Sequence, residues 1–241
     1  PIFPQFNFEV VRSAQGELID PAATLTGALR GVALIPGTGE YGLATTPVHY
    51  AFGPGQNRSA NVHSPSGLTD FATSLAQLGE ELPGVGSVSL VVSWFGSDLR
   101  CGFCQVRPKV EQTTRDGVGM PWRAGGISRF AAMEVPRVSG ASIYGGTPSD
   151  ASVIEAIEAI RATGKEVVFY PFILMDQLDD NTLPDPWTGA GSQPKLPWRG
   201  RITLSAAPGL DGSTDRSDAA EAEVQAFFGT AAPGHVTASG Q

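Results

Sequence analysis

The sequence is poor in the residues from which metal and redox sites are built. Among its 241 residues are two cysteines and three histidines, whereas a closed zinc site takes four such ligands. Cys101 and Cys104 form one C-x-x-C, no second pair exists, and His49, His63 and His235 lie far apart. A redox dithiol usually opens a helix, but Pro108 sits within the stretch that follows this one, at 105–115. The pair reads first as structural thiols, with a local disulfide, metal or redox chemistry behind that reading. No metal and no cofactor is expected. Basic residues are also few, with 16 Lys and Arg against 24 Asp and Glu for a net charge of -8. That balance disfavours a duplex-binding surface or an anionic-membrane patch, so no direct nucleic-acid binding is expected. Long apolar runs are missing too. The longest, 167–175, is about half of the roughly 20 residues that span a bilayer, and no signal peptide is recognisable. Serine-hydrolase chemistry lacks its G-x-S-x-G.

Glycine and proline are plentiful, at 30 and 19 residues, which predicts long ordered loops. Apolar side chains make up 41% of the chain, enough for one sizeable core. The chain starts on Pro1 and ends in small polar residues, as a piece of a longer polypeptide would.

Residues 5–11 alternate, with Phe6, Phe8 and Val10 on one face, and predict a half-buried strand. The glycine-rich stretch 52–61 reads as a connecting loop, which puts a domain boundary near residue 60. Beyond it, strand and helix alternate. Thr69 opens a helix carrying Phe71, Leu75, Leu78 and Leu82 at helical spacing, stopped by Pro83 and Gly84. The run 87–95 is a buried strand and 141–144 a short second one. Thr147, Pro148 and Asp150 supply a cap, a first-turn proline and an acid for a helix striped with Val153, Ile154, Ile157 and Ile160. Gly164 ends that helix, and 166–175 is another buried strand, with Pro171 awkward inside it. A last helix covers about 217–228. Near-continuous apolar strands alternating with helices predict a parallel α/β sheet.

Two long loops, about 96–139 and 176–215, follow strand C-termini, where parallel α/β folds place their ligands. Asp98 and Asp176 stand at these strand ends, as an acid and base for glycoside hydrolysis would, or as an ion pair with Arg100 and a loop cap. Trp122, Trp187 and Trp198 each follow a proline and suit either a carbohydrate groove or loop packing, while Trp94 reads as core.

Three longer motifs carry a family resemblance. SLVVSWFGSDLRC (89–101), YGGTPSD (144–150) and VFYPFILM (168–175) together resemble the TIM-barrel-like, glycoside-hydrolase-like domain of gene transfer agent and phage tail-tip (baseplate hub) proteins. PQFNFEVV (4–11) resembles the end of the preceding tail-hub domain. The resemblance implies residues 1–60 as the β-rich end of a hub domain with a linker, and 61–241 as the N-terminal part of a (β/α)8-like barrel, left incomplete because only three good strands are readable. It further implies a virion component at the tail tip, acting at the bacterial envelope during DNA delivery. Its partners would be other baseplate proteins and cell-envelope polysaccharide, with trimeric assembly in the hub. On this reading Trp94, Arg100, Tyr144, Trp187 and Trp198 contact saccharide, and Asp98 and Asp176 are the candidates for hydrolysis. The alternative is a structural or receptor-binding barrel without turnover.

Overall fold

The computed structural model describes residues 24–35, 39–232 and 234; the strand expected at 5–11 lies outside them. In chain order the elements are α1 (Leu25–Ala28), β1 (Gly31–Leu34), β2 (His49–Gly53), β3 (Gln56–Ser59), α2 (Asp70–Glu81), β4 (Ser87–Gly96), β5 (Val106–Arg107), β6 (Lys109–Val110), β7 (Arg123–Ala124), β8 (Ile127–Ser128), β9 (Met133–Glu134), β10 (Arg137–Val138), β11 (Ala141–Ser142), α3 (Asp150–Ala162), β12 (Glu166–Met175) and α4 (Asp218–Phe228). None of the described helices is long and apolar enough to cross a membrane.

The main sheet has β4 at its centre, parallel to β1 on one side and to β12 on the other. In this register Val32, Val88 and Val167 stand abreast. Because side chains alternate across a strand, Val88, Leu90 and Val92 point to one face, where Phe71 and Leu75 of α2 and Ala156 and Ile160 of α3 close over them. Each such fully buried aliphatic side chain contributes about 1.5–3 kcal/mol. The helix α2 begins where its sequence places it, with the Thr69 hydroxyl accepting from the Ala72 amide. The start of α3 lies two residues later than the motif suggests. Ser149 is the cap, accepting from the Ser152 amide, while the Thr147 hydroxyl accepts from the Lys109 amide instead. Pro171 is accommodated because β12 pairs only with β4, and an edge strand tolerates a missing donor.

The expected N-terminal half of a TIM-like barrel is not what the chain forms. The fold is mixed α/β, with four helices, an open sheet and several two-stranded sheets among the described residues, and no closed barrel. The strand expected at 141–144 does not join the parallel sheet; β11 folds back antiparallel on β10. Three parallel strands leave the second sheet face open, where a barrel interior would be filled by side chains.

A second core lies under the loops. Tyr41, Val48, Val110, Met120 and Trp122 bury together, so segments on both sides of residue 60 share it. At its centre is Arg129, fully buried. Its Nη2 donates to Glu40 Oε2 at 2.6 Å and to the Tyr41 hydroxyl at 3.1 Å, its Nε to Asp116 at 3.0 Å and its Nη1 to the Gln112 carbonyl at 2.9 Å. The rings of Tyr41, Tyr50 and Trp122 surround it at 5.7–5.8 Å. Burial pushes the Tyr41 hydroxyl up to about 12 against the lowering effect of Arg129. Gly146 packs against this centre: a Cβ there would stand 2.6 Å from Glu40 Cγ and 3.0 Å from the Lys109 carbonyl.

Candidate ligand-binding groove

The uncovered face of the parallel sheet forms the floor of a groove of about 480 Å³. Ser89, Val91 and Ser93 of β4 present small side chains upward, beside Tyr170, Phe172 and Leu174 of β12. Tyr144 and Gly145, just beyond β11, close one end. The sequence signal for this face is the alternation of serine with large apolar residues through 87–94, which places small polar groups on one side only.

Tyr144 is the hinge point of the surface, since it also lines two adjoining pockets. One, of about 190 Å³, runs past Phe172 and Leu196 to Trp198 and Arg199. There the Arg199 guanidinium lies 3.8 Å from the Phe172 ring and 4.1 Å from that of Trp198, a cation between two aromatic faces. The other, of about 520 Å³, runs between Arg58 and Arg137 with Glu111 in its wall.

Of the residues expected to contact saccharide, Tyr144 and Trp198 are brought together here, and Trp198 is 62% exposed. Trp94 sits on the helix-covered face of β4, packed against the core and close to Gly125. Arg100 forms a two-point ion pair with Asp98, at 3.1 and 2.7 Å, and lies 4.3 Å from the Phe103 ring. Trp187 donates from Nε1 to the Arg201 carbonyl at 2.6 Å and lines none of these pockets.

The two strand-end aspartates are both buried and both paired. Asp98 meets Arg100, and Gln193 Nε2 donates to it at 2.7 Å. Burial pulls its carboxyl upward, but these hydrogen bonds outweigh it and leave the pKa below the ordinary value. Asp176 meets the Lys109 ammonium as an ion pair, although its Oδ2 has no hydrogen bond of good geometry. Tyr144 lies near enough that its pKa is raised, by burial first and then by the Asp176 charge. Cys104 is buried beside the ends of β4 and β12, and burial raises its thiol against the lowering effect of backbone hydrogen bonds at Asp98 and Ser97. No disulfide joins Cys101 and Cys104. Among the described residues no cluster of three or more His, Cys, Asp or Glu could hold a metal ion.

Sequence reasoning missed Tyr170, Phe172, Arg199, Arg58, Arg137 and Glu111. The first two sit in an unbroken apolar run, which reads as buried on both faces. The arginines converge only through the packing of separate hairpins and loops. No protein-family model and no curated protein matches the chain.

Proposed function

We propose that this protein is a tail-tip component of a phage-like, gene-transfer-agent-type particle and that its groove binds cell-envelope polysaccharide during DNA delivery. The observation that carries the saccharide reading is the groove wall, where Tyr144, Tyr170 and Phe172 stand over a floor of Ser89, Val91 and Ser93. Flat rings beside hydroxyl groups match the apolar faces and polar rims of sugar rings. The tail-tip assignment rests on the three motifs at 89–101, 144–150 and 168–175, and it brings other baseplate proteins as partners.

Binding is favoured over cleavage. Glycoside hydrolysis uses two carboxyl groups facing the scissile bond, one of them protonated, and here Asp98 and Asp176 are each committed to a cation. Co-sedimentation of the full chain with bacterial envelope polysaccharide, peptidoglycan sacculi included, tests the reading. Retention that falls about tenfold in Phe172→Ala is expected from the loss of one ring contact. No retention on any envelope fraction ends it. Immunogold labelling of particles tests the location, and label away from the tail end excludes a tail-tip role.

A further inference from the structure

Three guanidinium groups surround Tyr144 with no carboxylate ion-pair partner among the described residues: Arg58, Arg137 and Arg199. In a chain of net charge -8, carboxylates are the commoner group, so cations left together without them mark a place kept for an external anion. The arrangement is also pre-set. Arg137 Nε and Nη2 both donate to the Gly140 carbonyl, at 3.1 and 2.6 Å, and its Nη1 donates to the Glu111 carbonyl at 3.2 Å and to Ser142 Oγ at 3.0 Å. These acceptors are neutral. They fix the guanidinium plane without cancelling its charge, which lowers the ordering cost of binding. Arg58 stands exposed on β3 and lines the same pocket.

The wall of that pocket holds one carboxylate, Glu111. Its Oε1 accepts from the Gly146 amide at 3.3 Å. Burial and the neighbouring Glu40 push its carboxyl upward and outweigh the lowering effects of the Gly146 amide, Arg129 and Arg58, and no ion pair forms between Glu111 and Arg58 or Arg137 among the described residues. Tyr144 and Gly145 line both this pocket and the groove over the sheet, so one extended polymer can occupy both.

We propose that the groove takes an acidic polysaccharide, with a sugar carboxylate held between Arg58 and Arg137 and the adjoining ring along Tyr144. This rests on the saccharide reading above and adds the charge of the ligand. Arg58 can offer its planar donors to the carboxylate oxygens in pairs, while Arg137, with four of its five N–H groups held by the protein, adds its one remaining Nη2 N–H and its fixed charge.

The test is titration of the full chain, followed by tryptophan fluorescence, with an oligogalacturonate, a neutral chito-oligosaccharide of equal length, and inorganic phosphate. Expected are oligogalacturonate binding at least tenfold tighter than the neutral chain, a loss of about tenfold in Arg58→Gln, and weakening by added salt. The Arg58 side chain makes no hydrogen bond or ion pair among the described residues, so its replacement does not threaten folding; Arg137→Lys, which keeps the charge and loses the bonds that fix the guanidinium plane, is the second variant. Equal affinity for the acidic and neutral chains, or an unchanged Arg58→Gln, overturns the acidic ligand and leaves the groove reading standing. Competition by phosphate as strong as by oligogalacturonate shows a bare anion site and overturns it as well. Binding of neither saccharide overturns both.

Discussion

Arg129 and Glu40 are 89 residues apart in the chain, yet Nη2 of the one donates to Oε2 of the other at 2.6 Å with both side chains shut off from water. Glu40 also accepts from the Tyr50 hydroxyl at 3.0 Å and the Glu111 amide at 2.7 Å. The pair ties the segment before β2 to the long loop after β4, and so holds the Glu111 wall of the arginine pocket. Arg129→Met strands the carboxylates of Glu40 and Asp116. A stability loss of about 3–5 kcal/mol is expected, measured by urea unfolding. A loss under about 1 kcal/mol would mean that the network is dispensable.

Gly146 is required for space rather than for its backbone angle. A methyl group there meets Glu40 and the Lys109 carbonyl, the latter being backbone that cannot swing away. Gly146→Ala is expected to cost about 1–3 kcal/mol, as overpacking does. Unchanged thermal unfolding would show that the loop shifts freely.

The cap of α3 gives a cleaner local test. Ser149→Ala removes the hydroxyl that accepts from the Ser152 amide at 3.2 Å, for an expected loss of about 1 kcal/mol. Thr147→Ala acts elsewhere, by leaving the buried Lys109 amide without its acceptor at 3.1 Å. If Thr147→Ala lowers the helix signal while Ser149→Ala does not, the helix start is misplaced.

Acid sensitivity follows from five carboxyls. Burial alone would raise Asp98, Asp116, Glu155 and Glu223, but hydrogen bonds outweigh it: from Arg100 onto Asp98, from the Trp122 amide and Arg129 onto Asp116, from Thr46 and Thr45 onto Glu155, and from Ser205 and Thr214 onto Glu223. All four end below their ordinary values. A depressed folded-state pKa gives stability that is present above the unfolded value, about 3.9 for Asp and 4.3 for Glu, and lost as pH falls through the folded one. Glu111 is raised and runs the other way, favouring the folded state as it takes up its proton. With four groups against one, the urea midpoint is expected to fall below about pH 4. A midpoint that climbs steadily from pH 5 to pH 3 contradicts this balance.

The thiols are expected to be slow. Burial raises Cys101, with Glu223 adding to it, and burial raises Cys104, outweighing the backbone hydrogen bonds at Asp98 and Ser97 that lower it. Less thiolate at neutral pH means slower alkylation. Iodoacetamide labelling of the folded chain at pH 7.5 should run at least tenfold slower than in urea; equal rates would mean that the thiols are open.

The sequence by itself determined α2, α3, α4 and the long strands, because their signals are local, while the four-residue α1 is not legible there. The Thr69 cap, the stripe Phe71, Leu75, Leu78 and the apolar runs at 87–95 and 166–175 need no distant partner to be read, and α2, β4 and β12 lie where those signals put them. Tertiary structure alone decided which sheet face is covered. Both faces of β12 are apolar in sequence, and only the placement of α2 and α3 leaves Tyr170 and Phe172 facing a groove. It also decided that the sheet stays open, since the motifs resemble those of a barrel but strand closure is a matter of how many strands pair and how they curl. The same holds for charge. Asp98 and Arg100 are neighbours in sequence and their pairing is legible there, whereas Asp176 finds Lys109, Arg129 finds Glu40, and Arg58 comes to share a pocket with Arg137 only because contacts between segments far apart in the chain are fixed by packing.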